Sequence, residues 1–212
     1  MENLEQLHEA ILTGNLKQAV EVTTQAIAQG VDPQLLISDY MSKAMEEIGG
    51  RFEAGKAFVP ELLMSARAMK GALEIIKPIL SAKGSTTNLG KVVIGTVKGD
   101  LHDIGKNLVA SMLEGCGFEV INLGVDISSE KFVEAVRENK ANIICMSALL
   151  TTTMTYMKEV IGALEKSGLR DEVKVMIGGA PINQNYASEI GADGYSSNAN
   201  AAVVLAKQLL EK

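Results

Sequence analysis

From Val92 onward the chain repeats one pattern, a short apolar run followed by a stretch with helical spacing, and this repetition leaves few folds open. The runs are Val92-Val93-Ile94, Val120-Ile121, Ile143–Met146 and Val173–Ile177, with a weaker fifth near Asp193-Gly194-Tyr195. Continuous apolar runs of this length suit strands buried on both faces of a parallel sheet. The intervening stretches, Ile104–Leu113, Glu130–Glu138, Met154–Lys166, Gln184–Ile190 and Ala199–Leu210, carry helix signals. Strand–helix alternation of this kind predicts a doubly wound α/β domain over residues 89–212, with a five-stranded parallel sheet of flavodoxin-like (Rossmann-like) order 2-1-3-4-5.

Residues 1–88 read differently. Leu4, Leu7, Ala10 and Ile11 recur at helical spacing, and Gly14-Asn15 closes that segment. A second helix is predicted from Leu16 to Ala28. A third starts at Asp32-Pro33, where an acceptor cap precedes proline, and is expected to close at Gly49-Gly50. A fourth spans Pro60 to Leu80. Four helices with short turns predict an antiparallel bundle, and residues 81–88 have linker composition, placing a hinge there.

Composition narrows the function. A net charge of −6 speaks against a nucleic-acid partner, since phosphate binding rests on clustered Lys and Arg. No apolar run reaches the roughly 18 residues a membrane helix needs, so no membrane partner is expected. The acidic start Met1-Glu2-Asn3 lacks the apolar core of a secretory signal. Cys116 and Cys145 are expected to be buried free thiols, which fits a cytoplasmic location.

In an open α/β sheet, ligands bind where the loops after strands one and three diverge. Those loops read Lys98-Gly99-Asp100-Leu101-His102-Asp103-Ile104-Gly105 and Ser147-Ala148-Leu149-Leu150-Thr151-Thr152-Thr153. A carboxylate two residues before a histidine can take the proton of one ring nitrogen and raise the basicity of the other toward a metal. One histidine is too few for a structural zinc, but it is enough when a macrocycle fills the other positions. The pair therefore points to a cofactor-bound metal.

Asp100-Leu101-His102-Asp103-Ile104-Gly105 resembles the Asp-x-His-x-x-Gly signature of cobalamin-binding domains, Ser147-Ala148-Leu149 their Ser-x-Leu element, and Gly178-Gly179 their Gly-Gly element. The resemblance implies a cobalamin or related corrinoid whose cobalt takes His102 as lower axial ligand. It also implies a slot for the displaced nucleotide tail lined by Ser147, Thr151, Gly178, Gly179 and Ala199, with Leu149 and Gly105 also among the cofactor-binding residues. Where cobalamin-dependent methionine synthase has a serine completing a His–Asp–hydroxyl relay, this chain has Thr153. That hydroxyl either joins His102 and Asp100 in the relay or serves as the helix N-cap before Met154.

Met45 to Leu62 resembles the helical cap of methionine synthase and of the corrinoid proteins of methylamine, methanol and betaine methyltransferase systems. In those proteins the cap shields the methyl form of the cofactor (methylcobalamin), and by this resemblance Phe52, Val59 and Leu62 contact its upper face. Phe52 and Phe58 are both expected in the turn between two helices. The implied role is methyl carriage, on a protein that is not catalytic alone. The implied partners are a substrate:corrinoid methyltransferase, a second methyltransferase using coenzyme M or tetrahydrofolate, and a reductive activating protein. A cobalamin-binding regulator, or the small subunit of an adenosylcobalamin mutase, are the alternatives.

Overall fold

The structure, a computed structural model, describes residues 4–82 and 89–211. Most of the linker expected at 81–88 lies outside the described residues. Two compact units result. Of the described residues, the first holds 4–82 together with 111–117, and the second holds 89–110 and 118–211. Among the described residues, no helix is long and apolar enough to cross a membrane.

The first unit contains α1 (Glu5–Leu12), α2 (Leu16–Ala28), α3 (Pro33–Leu35), a π-helical turn (Leu36–Met41), α4 (Ser42–Glu53) and α5 (Val59–Ala82). Asn15 caps α2 by accepting from the Gln18 amide, and Asp32 caps α3 by accepting from the Gln34 amide. The third expected helix is a run of α3, π turn and α4, and it does not stop at Gly49-Gly50. A helical glycine costs about 1 kcal/mol relative to alanine. Here Ile48 and Gly49 are buried on the inner face, and Arg51 pairs with Glu47 one turn back at 2.6 Å. The helix ends instead at Ala54-Gly55, with Gly55 at φ +68°. Phe52 thus sits on α4 rather than in the turn, and only Phe58 remains there. Glu61 reaches back to accept from the Phe58 amide at 2.8 Å, as in half of a capping box, and so starts α5.

The second unit contains β1 (Lys91–Thr96), α6 (Ile104–Gly115), β2 (Glu119–Asn122), α7 (Ser129–Asn139), β3 (Ile143–Ser147), α8 (Thr155–Lys166), β4 (Lys174–Gly178), α9 (Gln184–Ile190), β5 (Gly194–Tyr195) and α10 (Ala199–Leu210). The last turn of α6 is the part grouped with the first unit. All strand pairs are parallel and the order is β2-β1-β3-β4-β5, as expected. Burial follows position. The β1, β3 and β4 runs are buried, whereas edge strand β2 is not. Val93, Ile144, Val175, Phe132 and Leu164 share one core cluster with helices α7 and α8. Both cysteines are buried and free, and burial pushes the Cys145 thiol up to about 12.

Register fixes what stands at the carboxyl edge. Thr96 pairs with Ser147, and Ser147 with Gly178, so the ends of the three central strands are level. The loops after β1, β3 and β4 depart from that one row.

Candidate cofactor site

Leaving β1, the chain must turn sharply, and Gly99 supplies the turn at φ +78°, a backbone conformation that L side chains resist. The Gly99 amide donates to Asp126 Oδ1 at 2.7 Å, and the Asp126 amide donates to the Asp100 carbonyl at 3.0 Å. Farther along, the Thr96 hydroxyl donates to the His102 carbonyl at 2.9 Å. Side chains from the end of β1 and from the loop after β2 thereby fix the loop that carries His102.

Asp100 is wholly buried, with 0 % exposure, and five donors surround its carboxylate. Oδ1 accepts from the His102 amide (3.1 Å) and stands 2.7 Å from His102 Nδ1. Oδ2 accepts from the amides of Leu149 (2.8 Å) and Leu150 (3.3 Å) and from the Thr153 hydroxyl (2.7 Å). Burial works against the charge. The hydrogen bonds from Thr153, Leu149 and His102 outweigh it and hold the carboxyl far below the usual carboxylate range. An ionised Asp100 can only accept, so His102 Nδ1 carries the hydrogen, and the neutral form of the ring has its lone pair on Nε2. The His102 side chain is half exposed.

Thr153 is bonded to Asp100 and does not cap α8. Its buried hydroxyl is bonded to Asp100, and the residue that caps α8 is Met154, with no side-chain cap. The same hydroxyl lies 3.0 Å from the Leu150 carbonyl, but its single hydrogen favours the charged acceptor.

Around His102 stand large apolar side chains that the fold leaves open: Leu101 (71 % exposed), Ile104 (87 %), Leu149 and Leu150. Exposed apolar side chains gathered in this way mark a binding surface. Gly105, one residue beyond, is exposed with nothing within 4 Å of the place a Cβ would take. Gly179 is the opposite case. At φ +131°, a Cβ there would lie 1.9 Å from the Ala148 carbonyl oxygen, so the β3 and β4 loops touch backbone to backbone. The β5 loop adds Ser196, whose carbonyl lies 3.4 Å from a Gly178 Cβ, and buried Ala199 opens α10 under an Asn198 cap. Thr151 is exposed on the β3 loop.

The structure therefore brings His102, Asp100, Thr153 and Leu149 into one cluster, with Ser147, Gly178 and Gly179 at the adjoining strand ends. It does not support a ligand contact for Leu62, which is 0 % exposed within the helical core. On the same stretch Phe58, Val59, Leu63 and Met64 are the exposed apolar side chains, and Phe52 is half-buried. Helical periodicity separates Leu62 from Val59 by three positions, too coarse a guide to tell the inner edge of the stripe from its outer edge. Sequence reasoning also missed Thr96, Lys106, Asn107, Asn122 and Asp126. A polar residue closing an apolar strand, as at Thr96 and Asn122, was the available signal; nothing singled out Asp126.

Among the described residues, no group of three or more His, Cys, Asp or Glu could hold a metal ion. What is offered is one oriented imidazole among exposed apolar side chains, beside the Gly178-Gly179 end of β4. That donor set fits a metal that arrives with its own equatorial ligands in a broad, largely apolar ring.

Comparison with known proteins agrees. A family model described as a B12 binding domain matches residues 90–204, and a second B12 binding domain model matches residues 3–77. Trimethylamine corrinoid protein 2 of Methanosarcina mazei is 46 % identical over 194 residues, covering 91 % of this chain and 89 % of its own. A cobalamin-binding protein from Desulfitobacterium hafniense superposes with a TM-score of 0.83 at 33 % identity, covering 99 % of both chains. The methanol:cobalamin methyltransferase complex MtaBC of Methanosarcina barkeri contains a chain that superposes equally well, at 0.83 and 32 % identity, covering 99 % of this chain and 80 % of that one.

Proposed function

This chain belongs to the B12-binding corrinoid proteins, and we propose that it is the methyl-carrying subunit of a methyltransferase system. In this reading it receives a methyl group from a substrate methyltransferase and yields it to a second methyltransferase acting on coenzyme M or tetrahydrofolate. A methylated amine is the donor class proposed first, since the relative at 46 % identity carries trimethylamine in its name. A reductive activating protein completes the proposed set of partners. The observation that carries the reading is the Asp100–His102 pair, with Nδ1 bonded to a buried carboxylate and the half-exposed ring on a loop whose Leu101 and Ile104 are also exposed.

When bound, a corrinoid supplies a cobalt centre able to take up and release a methyl group; the protein's residues do the rest. His102 would hold the cobalt through Nε2. Asp100 holds the Nδ1 proton and, by its charge, increases donation from the ring. Thr153 and the Leu149 amide keep that carboxylate ionised. Leu101, Ile104, Leu149 and Leu150 would cover the lower face of the ring, and exposed Gly105 leaves room for it to come close. Ser147, Thr151, Gly178, Gly179 and Ala199 are proposed to receive the nucleotide tail. Phe52 and Val59 are proposed to shield the methyl group that the cofactor would carry.

A mutase small subunit fits less well, because the family match over residues 3–77 covers a helical region which that reading does not call for. The test is the cofactor itself. Extraction from the purified protein should yield a methyl- or hydroxo-corrinoid, and adenosylcobalamin in its place would overturn the carrier reading.

A further inference from the structure

Lys106 is a placement that the fold alone does not ask for. It is 4 % exposed, although lysine is among the residues least often buried without a charged partner. It also stands in the first turn of α6, where the helix dipole disfavours a cation. Its ammonium donates to two neutral amide oxygens, Asn107 Oδ1 at 2.6 Å and Asn122 Oδ1 at 2.7 Å. Burial drives its pKa down, with Asp103 opposing. A leucine or methionine would fill that volume at lower cost, so what the ammonium ties together is informative.

It ties the His102 turn to the end of β2. Asn122, the last residue of β2, accepts from Lys106 and from the Gly124 amide (3.1 Å), and its own amide donates to Asn107 Oδ1 at 3.1 Å. The Asn107 amide nitrogen in turn donates to Asp103 Oδ2 at 2.9 Å, and Asp103 directly follows His102. The other end of the same loop is pinned by Asp126, held at φ +55°, a strained backbone for a residue other than glycine. The loop after β2 thus grips the His102 segment on both sides, and Lys106 closes the second grip.

We propose that Lys106 is a positioning residue, clamping the His102 turn to the end of β2 so that the imidazole keeps one orientation toward the ligand. The proposal rests on the reading of His102 as lower axial donor, and the experiment separates the two. In the cofactor-free protein, Lys106→Met and Asn122→Ala should leave the circular dichroism unchanged. Amide hydrogen exchange over Leu101–Ile104 should quicken at least severalfold in both variants. Should one variant fail to fold, the other carries the test, because the two residues are opposite ends of one bond. Unchanged exchange would overturn the clamp whatever the cofactor does. In the corrinoid-loaded protein, affinity should fall about 10-fold, the low end of the range for residues that orient a metal ligand. The paramagnetic resonance of the Co(II) form should also split into nitrogen-coupled and uncoupled populations where wild type gives one. Faster exchange with a single wild-type-like spectrum would make Lys106 merely structural and overturn its positioning role. A wild-type spectrum without nitrogen coupling would instead overturn the axial reading of His102.

Discussion

At the scale of single residues, the account rests on how many donors converge on Asp100. Thr153→Val removes the hydroxyl and leaves the carboxylate one donor short in a buried site. The expected loss is about 1.5–3 kcal/mol of folding stability, the range for hydrogen bonds to charged groups. Thr153→Ser, which keeps the hydroxyl, should retain most of it; equal losses in both, by denaturant titration, would mean that the methyl group and not the bond matters. Asp100→Asn tests the charge. Because the folded carboxyl is depressed, its stabilisation is present above the unfolded pKa near 4 and is lost as pH falls toward the folded value. Wild type should therefore lose more stability than Asp100→Asn between neutral pH and about pH 3, and parallel losses would contradict the depressed carboxyl. Asp100 and His102 were legible because a carboxylate and an imidazole two apart on a switch-point loop are chemically unusual. Lys106 was not, because a lysine on a helix reads as a solvated residue until its burial is seen.

Among the elements, the strand ends are the most demanding. Gly179→Ala places a Cβ against the Ala148 carbonyl at a backbone angle unfavourable to alanine. The β3 and β4 loops must part, so both thermal stability and corrinoid affinity should fall; an unchanged melting midpoint would show that the loops yield freely. The buried parallel sheet was readable from the runs at Val92, Ile143 and Val175, since such runs suit strands covered on both faces, whereas its order was expected as the common five-stranded arrangement. The end of α4 was not. Two glycines look like a stop signal, but burial of Ile48 and Gly49 with the Glu47–Arg51 pair carries the helix through them and takes Phe52 along. The proposed shielding by that region has its own test. Phe52→Ala/Val59→Ala should speed photolysis of the methyl-corrinoid protein without altering its visible spectrum, because a methyl radical escapes more readily from an open site. Equal rates with equal spectra would confine both side chains to packing.

For the molecule as a whole, the central claim is that an α/β unit with a single oriented histidine serves a metal carried by a ring, and that a helical unit accompanies it along the chain. Both regions match B12-binding models, and two fold types in one chain were legible from the change in periodicity near residue 85. A ligand bound only by the folded form must also stabilise it, so the melting midpoint should rise with corrinoid concentration. The most direct test is the paramagnetic resonance spectrum of the corrinoid-loaded protein in its Co(II) form, recorded for wild type and His102→Ala. Wild type should show nitrogen hyperfine coupling from an axial imidazole, and the variant should lose it while keeping the α/β fold. The same nitrogen-coupled spectrum in both proteins would contradict the assignment of His102 as the lower axial ligand.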